Sequence, residues 1–368
     1  MHILMIANDS SFIYNLRREI LQRMVDTGHK VSIMCQIQNF QKELQNMGCN
    51  IINIDTPRQG KNPFKDLSLF FKYFIQLKAI QPDVVFTNNI KPNVYGGLSC
   101  RLLKLRYIAN ITGLGTPLEI SGLLQKLAIR LYKLGIWGAS CIFFQNKENQ
   151  HFFETHRMIS PKSKKRLLPG SGVNLVDYPA LPYPKGDTVH FQYTSRILKE
   201  KGIDIYLFAA KAVHDKYSNT VFHICGGCDD KRYLKILQTA QEDGYIIYHG
   251  EQNDMVPYLQ QAGCIVHPSY YPEGMSNVLL EGAASARPII ATDRSGCRET
   301  VEDGVTGFLI PMQNVEALID ALERVLAMRP EERQKMGHAG RIKMEREFDR
   351  ELVVTAYIDV LKNEGYWH

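Results

Sequence analysis

The feature that most constrains the fold is a regular alternation of short apolar segments with longer segments of helical periodicity. In the first half, the apolar segments predict strands at residues 3–7, 31–35, 51–54, 83–87, 107–111 and 141–145. Between them, segments such as 12–27 repeat apolar residues at helical spacing. Strands separated by helices predict βαβ units and a parallel sheet.

The same alternation starts again after a stretch rich in proline and glycine. Predicted strands then follow at residues 189–193, 220–225, 246–249, 264–267, 288–291 and 307–310. We therefore expect an α/β chain with two doubly wound, Rossmann-like domains. The first is predicted over residues 1–170 and the second over residues 188–351, with residues 171–187 as the linker.

Charge divides unevenly between the two halves. Residues 1–180 hold 23 Lys and Arg against 11 Asp and Glu, whereas residues 181–368 hold 21 against 27. The net charge of +6 is therefore the average of a basic half and an acidic half. This asymmetry indicates that the basic half meets an anionic partner, and nucleic acid, a phospholipid surface and a phosphorylated substrate all stay open.

Several classes of protein are excluded by the bulk sequence. No run of 18 apolar residues exists, and the first residues do not form a secretory signal, so we expect neither a membrane span nor export. The eight cysteines are spread along the chain, as in reduced intracellular proteins. For Cys225-Gly226-Gly227-Cys228, a tight turn is favoured over a metal or redox site, because no second pair completes a ligand set.

The strongest chemical motif follows the predicted strand that ends at His267. A loop carries Glu273 and Gly274, and a helix is predicted to begin near Met275. Free backbone N–H groups at such a helix start form an anion site. Glu281, further along the helix, is suited to accept hydrogen bonds from a pair of hydroxyls. The alternative is an ordinary surface loop with one carboxylate at the helix N-terminus and one exposed carboxylate.

A second motif follows the first strand of the second domain. Arg196 and Lys201 lie in a strand-to-helix loop, from which both could reach a diphosphate. For an isolated pair of this kind, a solvated basic loop is the ordinary alternative.

Together these motifs resemble the retaining glycosyltransferase family 4, whose GT-B architecture places two Rossmann-like domains across a cleft. Glu273 and Glu281 match the family's Glu-x7-Glu motif, and Arg196 and Lys201 match its diphosphate ligands. The resemblance implies an enzyme with a UDP-sugar donor, and Glu273, Arg196 and Lys201 as catalytic residues. The donor-binding residues that it implies are Arg196, Lys201, His249, Gly250, Glu273, Gly274, Met275, Ser276, Asn277, Val278 and Glu281. A C-terminal helix at about 352–368 is expected to pack on the first domain.

The first domain resembles a bacterial branch that extends polyprenyl-diphosphate-linked saccharides in protein-glycan, O-antigen or capsule assembly. This resemblance implies transfer of a hexose or N-acetylhexosamine, for example N-acetylgalactosamine. The acceptor-binding residues that it implies are Ser11, Asn15, Arg17, Lys91, Thr112 and Gly113.

Thr112 stands where many members of the family carry a histidine, and a threonine is not a general base at neutral pH. The leaving diphosphate itself is then expected to take the acceptor's proton. No Asp-x-Asp occurs in the chain, so we expect metal-independent catalysis, with no cofactor.

Two segments are candidates for membrane contact, because each combines apolar residues at helical spacing with lysines or arginines. They are Leu67–Leu77 and Leu123–Trp137. We expect a cytoplasmic protein at the inner face of the membrane, although core-facing helices would give the same pattern. The alternatives are a soluble family member with a small-molecule acceptor and, from another class, a nucleic-acid-binding protein, for which no motif was found.

Overall fold

The computed structural model describes residues 1–55, 63–119 and 122–363. These residues form two compact units. The first contains Met1–Gly172, the segment Pro272–Met275 and the chain from Arg350, and the second contains Val173–Tyr271 and Ser276–Asp349. The C-terminal helix belongs to the first unit and is described to Asn363, so the predicted residues 364–368 lie outside the described residues.

The first unit is built on a parallel sheet of seven strands in the order β3-β2-β1-β4-β5-β6-β7. The second unit is built on a parallel sheet of six strands in the order β10-β9-β8-β11-β12-β13. Both orders are those of doubly wound sheets, which confirms the predicted fold class. The strands are β1 His2–Asp9, β2 Lys30–Gln36, β3 Asn50–Asn53, β4 Val84–Asn88, β5 Tyr107–Ile111, β6 Cys141–Phe144, β7 Lys164–Leu167, β8 Val189–Thr194, β9 Thr220–Cys225, β10 Ile247–Tyr248, β11 Cys264–His267, β12 Ile289–Thr292 and β13 Gly307–Ile310.

Helices alternate with these strands. They are α1 Ser10–Asp26, α2 Gln41–Asn46, α3 Pro63–Ile80, α4 Gly97–Leu102, α5 Thr116–Glu119, α6 Leu123–Ile136, α7 Lys147–Thr155, α8 Ile203–Lys216, α9 Lys231–Glu242, α10 Val256–Gln261, α11 Asn277–Ala284, α12 Val315–Ala327, α13 Pro330–Lys343 and α14 Arg350–Asn363. Two π-helical turns, Pro92–Gly96 and Met344–Phe348, and two 3-10 turns, Lys199–Lys201 and Arg298–Thr300, complete the described helical structure.

Local sequence explains where the first helix begins and which face it buries. Asp9 ends β1, and its carboxylate accepts a hydrogen bond from the Phe12 N–H, which satisfies a donor that the helix leaves open. Ile13, Ile20 and Met24 then fall on one face at helical spacing and are fully buried. This face packs in the core on one side of the first sheet.

The seventh strand of the first sheet was missed by the sequence analysis. Lys164–Leu167 reads Lys-Lys-Arg-Leu and has no apolar alternation, yet it pairs with β6 at the edge of the sheet. An edge strand has one partner and is mostly solvated, so its register does not need apolar residues, and lysines there discourage pairing with another chain.

The linker residues are held on the second unit by a buried arginine. The Arg287 Nε donates to the Leu259 carbonyl at 2.7 Å, and its Nη2 donates to the Pro182 carbonyl at 2.8 Å. The Tyr183 ring lies 5.8 Å from the guanidinium carbon of Arg287. A buried guanidinium satisfied by backbone carbonyls therefore fixes residues that sequence analysis assigned to the linker.

In the described part of the chain, no helix is both long enough and apolar enough to cross a bilayer. All eight cysteines are free thiols. Among the described residues, no three His, Cys, Asp or Glu side chains are grouped as a metal site would require.

Candidate active site

Helix α11 begins with an open N-terminus in the second unit. Ser276 is its N-cap residue, but the serine hydroxyl makes no capping hydrogen bond to the helix. The hydroxyl instead lies 3.2 Å from the Nε2 of buried His267, at the end of β11. The Ser276 N–H donates to the Gly296 carbonyl at 2.8 Å. The backbone N–H groups of Asn277 and Val278, predicted to bind the donor, therefore begin the helix without a side-chain cap.

Glu281 lies in the same helix and is half-buried. The next residue, Gly282, explains how closely the helix approaches the sheet. A Cβ at Gly282 would lie 2.7 Å from the Cγ1 of Ile265 in β11. A larger residue would push the helix, and with it Glu281, away from the sheet.

The loop that carries Arg196 is fixed by its backbone, whereas its side chain is exposed. Gly226 has a φ of +152°, and a Cβ there would collide with the Ser195 carbonyl. The Ile197 N–H donates to the Gly227 carbonyl at 2.9 Å, and the Gly226 N–H donates to the Gly250 carbonyl at 2.7 Å. The Arg196 side chain makes no hydrogen bond or ion pair to any described residue. The loops after β8, β9 and β10 thus bring the predicted ligands Arg196 and Gly250 to one end of the sheet.

Lys201 is 9% exposed, and its Nζ lies 4.8 Å from the centre of the Tyr271 ring. This distance is that of a cation–π contact. Gly202, which follows, has a φ of +77°, and a Cβ there would collide with the Pro268 carbonyl. The loop is therefore packed under the segment that leads from β11 to α11.

His249 belongs to a row of three histidines on neighbouring strands. The His190 Nδ1 lies 2.9 Å from the His223 Nε2, and the His223 Nδ1 lies 2.9 Å from the His249 Nε2. Burial and the two neighbouring imidazoles lower the pKa of His223 to about 4, and burial lowers the pKa of His190 and of His249. His249 was predicted from the sequence, whereas His190 and His223 lie in strands and carry no motif.

The segment with Glu273, Gly274 and Met275 packs on residues of the first unit. The Gly274 N–H donates to the Thr112 carbonyl at 3.1 Å, and the Asn146 side-chain amide donates to the Gly274 carbonyl at 2.6 Å. Gly113 has a φ of +147°, and a Cβ there would lie 3.1 Å from the Gly274 nitrogen, so a side chain at this position would be strained. Glu273 is half-buried. A predicted donor segment and two predicted acceptor residues, Thr112 and Gly113, thus lie together.

Asn89, which was not predicted from the sequence, bridges the end of β1 and the loop after β5. It has a φ of +71°, a conformation that asparagine tolerates better than most residues. Its side-chain Oδ1 accepts from the Asn8 N–H at 3.2 Å, and its Nδ2 donates to the Thr112 hydroxyl at 3.4 Å. The Thr112 loop is therefore tied through Asn89 to Asn8, near the end of β1.

The other residues predicted to bind the acceptor differ in exposure and in their partners. Asn15 is exposed, and Ser11 is half-buried. Arg17 is fully buried, where its Nε donates to the Asn88 Oδ1 at 3.4 Å and burial lowers its pKa. Lys91 forms an ion pair of 3.0 Å with Asp66 of α3. Arg17 and Lys91 thus have partners within the first unit, which their sequence context did not indicate.

The chain matches known sequence families and known proteins. The family "Glycosyl transferase 4-like" matches residues 2–146, and "Glycosyl transferases group 1" matches residues 183–343. The N,N'-diacetylbacillosaminyl-diphospho-undecaprenol alpha-1,3-N-acetylgalactosaminyltransferase of Campylobacter jejuni is 24% identical over 99% of this chain and 100% of its own. The capsular polysaccharide biosynthesis glycosyltransferase CapM of Staphylococcus aureus is 22% identical over 85% of each chain.

The fold also matches solved structures. HepE of Anabaena, determined in complex with UDP and glucose, superposes with a TM-score of 0.80 at 16% identity, over 99% of this chain and 100% of the other. The two parallel sheets and these likenesses define a GT-B protein. Each half of the chain matches one glycosyltransferase family, so the chain is a glycosyltransferase and an enzyme. The family and the enzyme class predicted from the sequence are confirmed.

Proposed function

We propose that this enzyme transfers a hexose or N-acetylhexosamine from a UDP-sugar to a polyprenyl-diphosphate-linked saccharide. The observation that carries this proposal is the likeness to the C. jejuni transferase, which extends over 99% of the chain and includes both units. The name of that relative gives a diphospho-undecaprenol acceptor and an N-acetylgalactosaminyl group.

The donor diphosphate is proposed to bind at the N-terminus of α11, with Arg196 and Lys201 as its cations. Arg196 is exposed on a fixed loop, so its guanidinium is free to turn onto a ligand. The Lys201 ammonium lies over the Tyr271 ring and is proposed to turn onto the diphosphate when the donor binds. Glu281 is proposed to accept from the ribose hydroxyls. Positive charge from side chains and helix N–H groups would then balance the diphosphate.

The reaction is proposed to retain the anomeric configuration. The bond between the sugar C1 and the diphosphate oxygen breaks, and the acceptor oxygen bonds to C1 on the same face. The acceptor's proton passes to the leaving diphosphate oxygen, since Thr112 supplies no general base. The N–H groups, Arg196 and Lys201 stabilise the charge that develops on the leaving group. Glu273 is proposed to contact hydroxyls of the transferred sugar.

A donor screen tests the proposal. Hydrolysis and transfer are measured over a panel of nucleotide sugars, with polyprenyl-diphosphate-linked saccharides and small-molecule glycosides as acceptors. Glu281→Gln is expected to lose most turnover, and Glu316→Gln, an exposed carboxylate in α12, is the matched control. Transfer to small glycosides alone would favour the soluble alternative, and no turnover with any donor would refute the proposal.

The proposal that catalysis needs no metal ion is tested separately. Turnover is measured after dialysis against excess chelator and again after addition of Mg²⁺ or Mn²⁺. We expect full activity in chelator. Activity that is lost in chelator and restored by either ion would refute this part of the mechanism.

A membrane-contact surface is proposed on α3 and α6 of the first unit. Helix α3 has a core face with Leu69, Tyr73 and Leu77 buried. It also leaves Phe64 82% exposed and Ile75 61% exposed. Both helices pack against the same two helical segments, Pro92–Gly96 and Gly97–Leu102.

Helix α6 adds to this surface. Leu123 is 86% exposed, and Leu124, Leu127 and Leu134 are also exposed. Lys126, Arg130 and Lys133 lie in the same helix. Exposed apolar residues among basic ones fit a membrane with anionic lipid, where the apolar side chains enter the interface and the cations meet the head groups. The surface would bring a peripheral enzyme to a lipid-linked acceptor.

Vesicle flotation tests this surface. The protein is expected to float with vesicles that contain anionic lipid and to float less with zwitterionic vesicles. The double variant Phe71→Ser and Leu127→Ser should reduce flotation, whereas Phe208→Ser, which removes a 68% exposed phenylalanine from the second unit, should not. Equal flotation of all variants would refute the assignment.

A further inference from the structure

Ser276, the N-cap residue of α11, differs from the aspartate and asparagine N-cap residues of the described helices. Asp9, Asn146 and Asn314 each accept a hydrogen bond from a backbone N–H in the first turn of their own helix. Serine is among the best residues for this role. The Ser276 hydroxyl nevertheless points to the His267 Nε2 at 3.2 Å.

His267 is well placed to hold that hydroxyl. It is 1% exposed at the end of β11, a strand paired on both sides, by β8 and by β12. The backbone of Ser276 is held independently, because its N–H donates to the Gly296 carbonyl at 2.8 Å. The Gly296 N–H in turn donates to the Glu299 carboxylate at 2.7 Å. The start of the helix is thus fixed by two contacts, and only one of them involves the hydroxyl.

We propose that His267 is a positioning residue for donor binding, which holds the Ser276 hydroxyl away from α11 and so keeps the first-turn N–H groups open for the donor's diphosphate. Without His267, the hydroxyl would rotate onto the N–H of Val278 or Leu279 and compete with the phosphate oxygen. This inference rests on the proposed function, in which the donor diphosphate binds at this helix.

The proposal predicts a pattern of UDP affinities among variants that a histidine with only a structural role would not produce. His267→Leu is expected to weaken UDP binding about tenfold, the equivalent of about 1.4 kcal/mol. Removing the hydroxyl as well, in His267→Leu with Ser276→Ala, should restore UDP affinity to that of Ser276→Ala alone. His267→Gln, whose amide can still bond to the hydroxyl, should bind UDP nearly as well as the unaltered enzyme.

The Kd for UDP is measured by calorimetry on the full chain, and thermal melting reports the folding of each variant. His214→Leu, a histidine of α8 in the same unit, is the matched control. If His267→Leu does not fold, His267→Met takes its place, since a flexible thioether fills a similar space.

Recovery of UDP affinity in the double variant supports the proposal. A double variant that stays as weak as His267→Leu, or a His267→Leu variant that binds UDP normally, overturns the proposal and leaves the proposed function intact. An unaltered enzyme that binds no UDP overturns the proposed function, and this inference with it.

Discussion

The row of three histidines predicts how the stability of the second unit depends on pH. His223 is 4% exposed in β9, between the imidazoles of His190 and His249. As a neutral ring it donates through one nitrogen and accepts through the other, which satisfies both neighbours. A proton added to His223 would place a charge in a buried position and break one of these hydrogen bonds.

The size and sign of the effect follow from the pKa of His223. Burial and the neighbouring imidazoles lower that pKa from 6.5 to about 4. Above pH 6.5 the ring is neutral in both folded and unfolded chains and has no effect on the pH dependence. Between pH 6.5 and 4 the unfolded chain takes up the proton and the folded chain does not, so stability is lost as the pH falls. At pH 5 this loss amounts to about 2 kcal/mol, because each pKa unit corresponds to about 1.36 kcal/mol.

The assay compares the unaltered enzyme with His223→Gln, whose amide keeps one donor and one acceptor. The free energy of unfolding is measured by urea titration at pH 7.5 and at pH 5. The loss between these values should be smaller in the variant by about 2 kcal/mol. His338→Gln, which removes an exposed histidine from α13, serves as the control and should behave like the unaltered enzyme. An identical pH dependence in His223→Gln would refute the reasoning.

Three further predictions concern buried positions. Gly274→Ala should reduce donor turnover and the melting temperature, because its Cβ would collide with the Thr112 carbonyl, and unchanged melting would contradict this. Arg287→Met should lower the free energy of unfolding by about 2–4 kcal/mol, since buried carbonyls lose their donor; Arg232→Met, at an exposed position, is the control, and an equal effect of both would count against the argument. Burial raises the pKa of Cys225 to about 11, so its alkylation at pH 8 should be slow until urea unfolds the chain, and rapid native labelling would disprove it.

The sequence was sufficient for the elements whose apolar residues face a core. Twelve strands were predicted and twelve of the thirteen observed correspond to them, because buried strands of a parallel sheet are apolar on both faces. The strand that was missed, Lys164–Leu167, is an edge strand and carries charges instead. The short α5, Thr116–Glu119, also has too few residues to show a helical period.

Site residues were predicted from the sequence where a residue follows a strand and carries a recognisable motif. Arg196, Gly250 and the α11 residues were proposed as donor ligands for this reason, and these roles stay predictions. His223 and Asn89 could not be predicted in this way, because their contacts are with residues that are distant in the sequence. The His223 Nδ1 lies 2.9 Å from the His249 Nε2, and the Asn89 Oδ1 lies 3.2 Å from the Asn8 nitrogen. The burial of Arg17 was equally hidden, since the spacing of α1 does not reveal that its guanidinium packs 5.1 Å from the Phe12 ring.

Glycines explain how the residues proposed to bind the donor can have an ordered backbone and a side chain that is free to bind. Gly202, Gly226 and Gly282 each lie against another backbone or core side chain where a Cβ would meet an atom at 2.7 Å or less. The contacts of Gly226 and Gly202 fix the backbone on either side of Arg196 and Lys201, so the loop loses little further backbone entropy when a ligand binds. The Arg196 side chain, by contrast, has no partner among the described residues and has its own conformational entropy to lose. In the proposed function, the favourable part of donor binding therefore comes from the charge-assisted hydrogen bonds of that side chain and from the open N–H groups of α11, which His267 is proposed to keep free of the Ser276 hydroxyl.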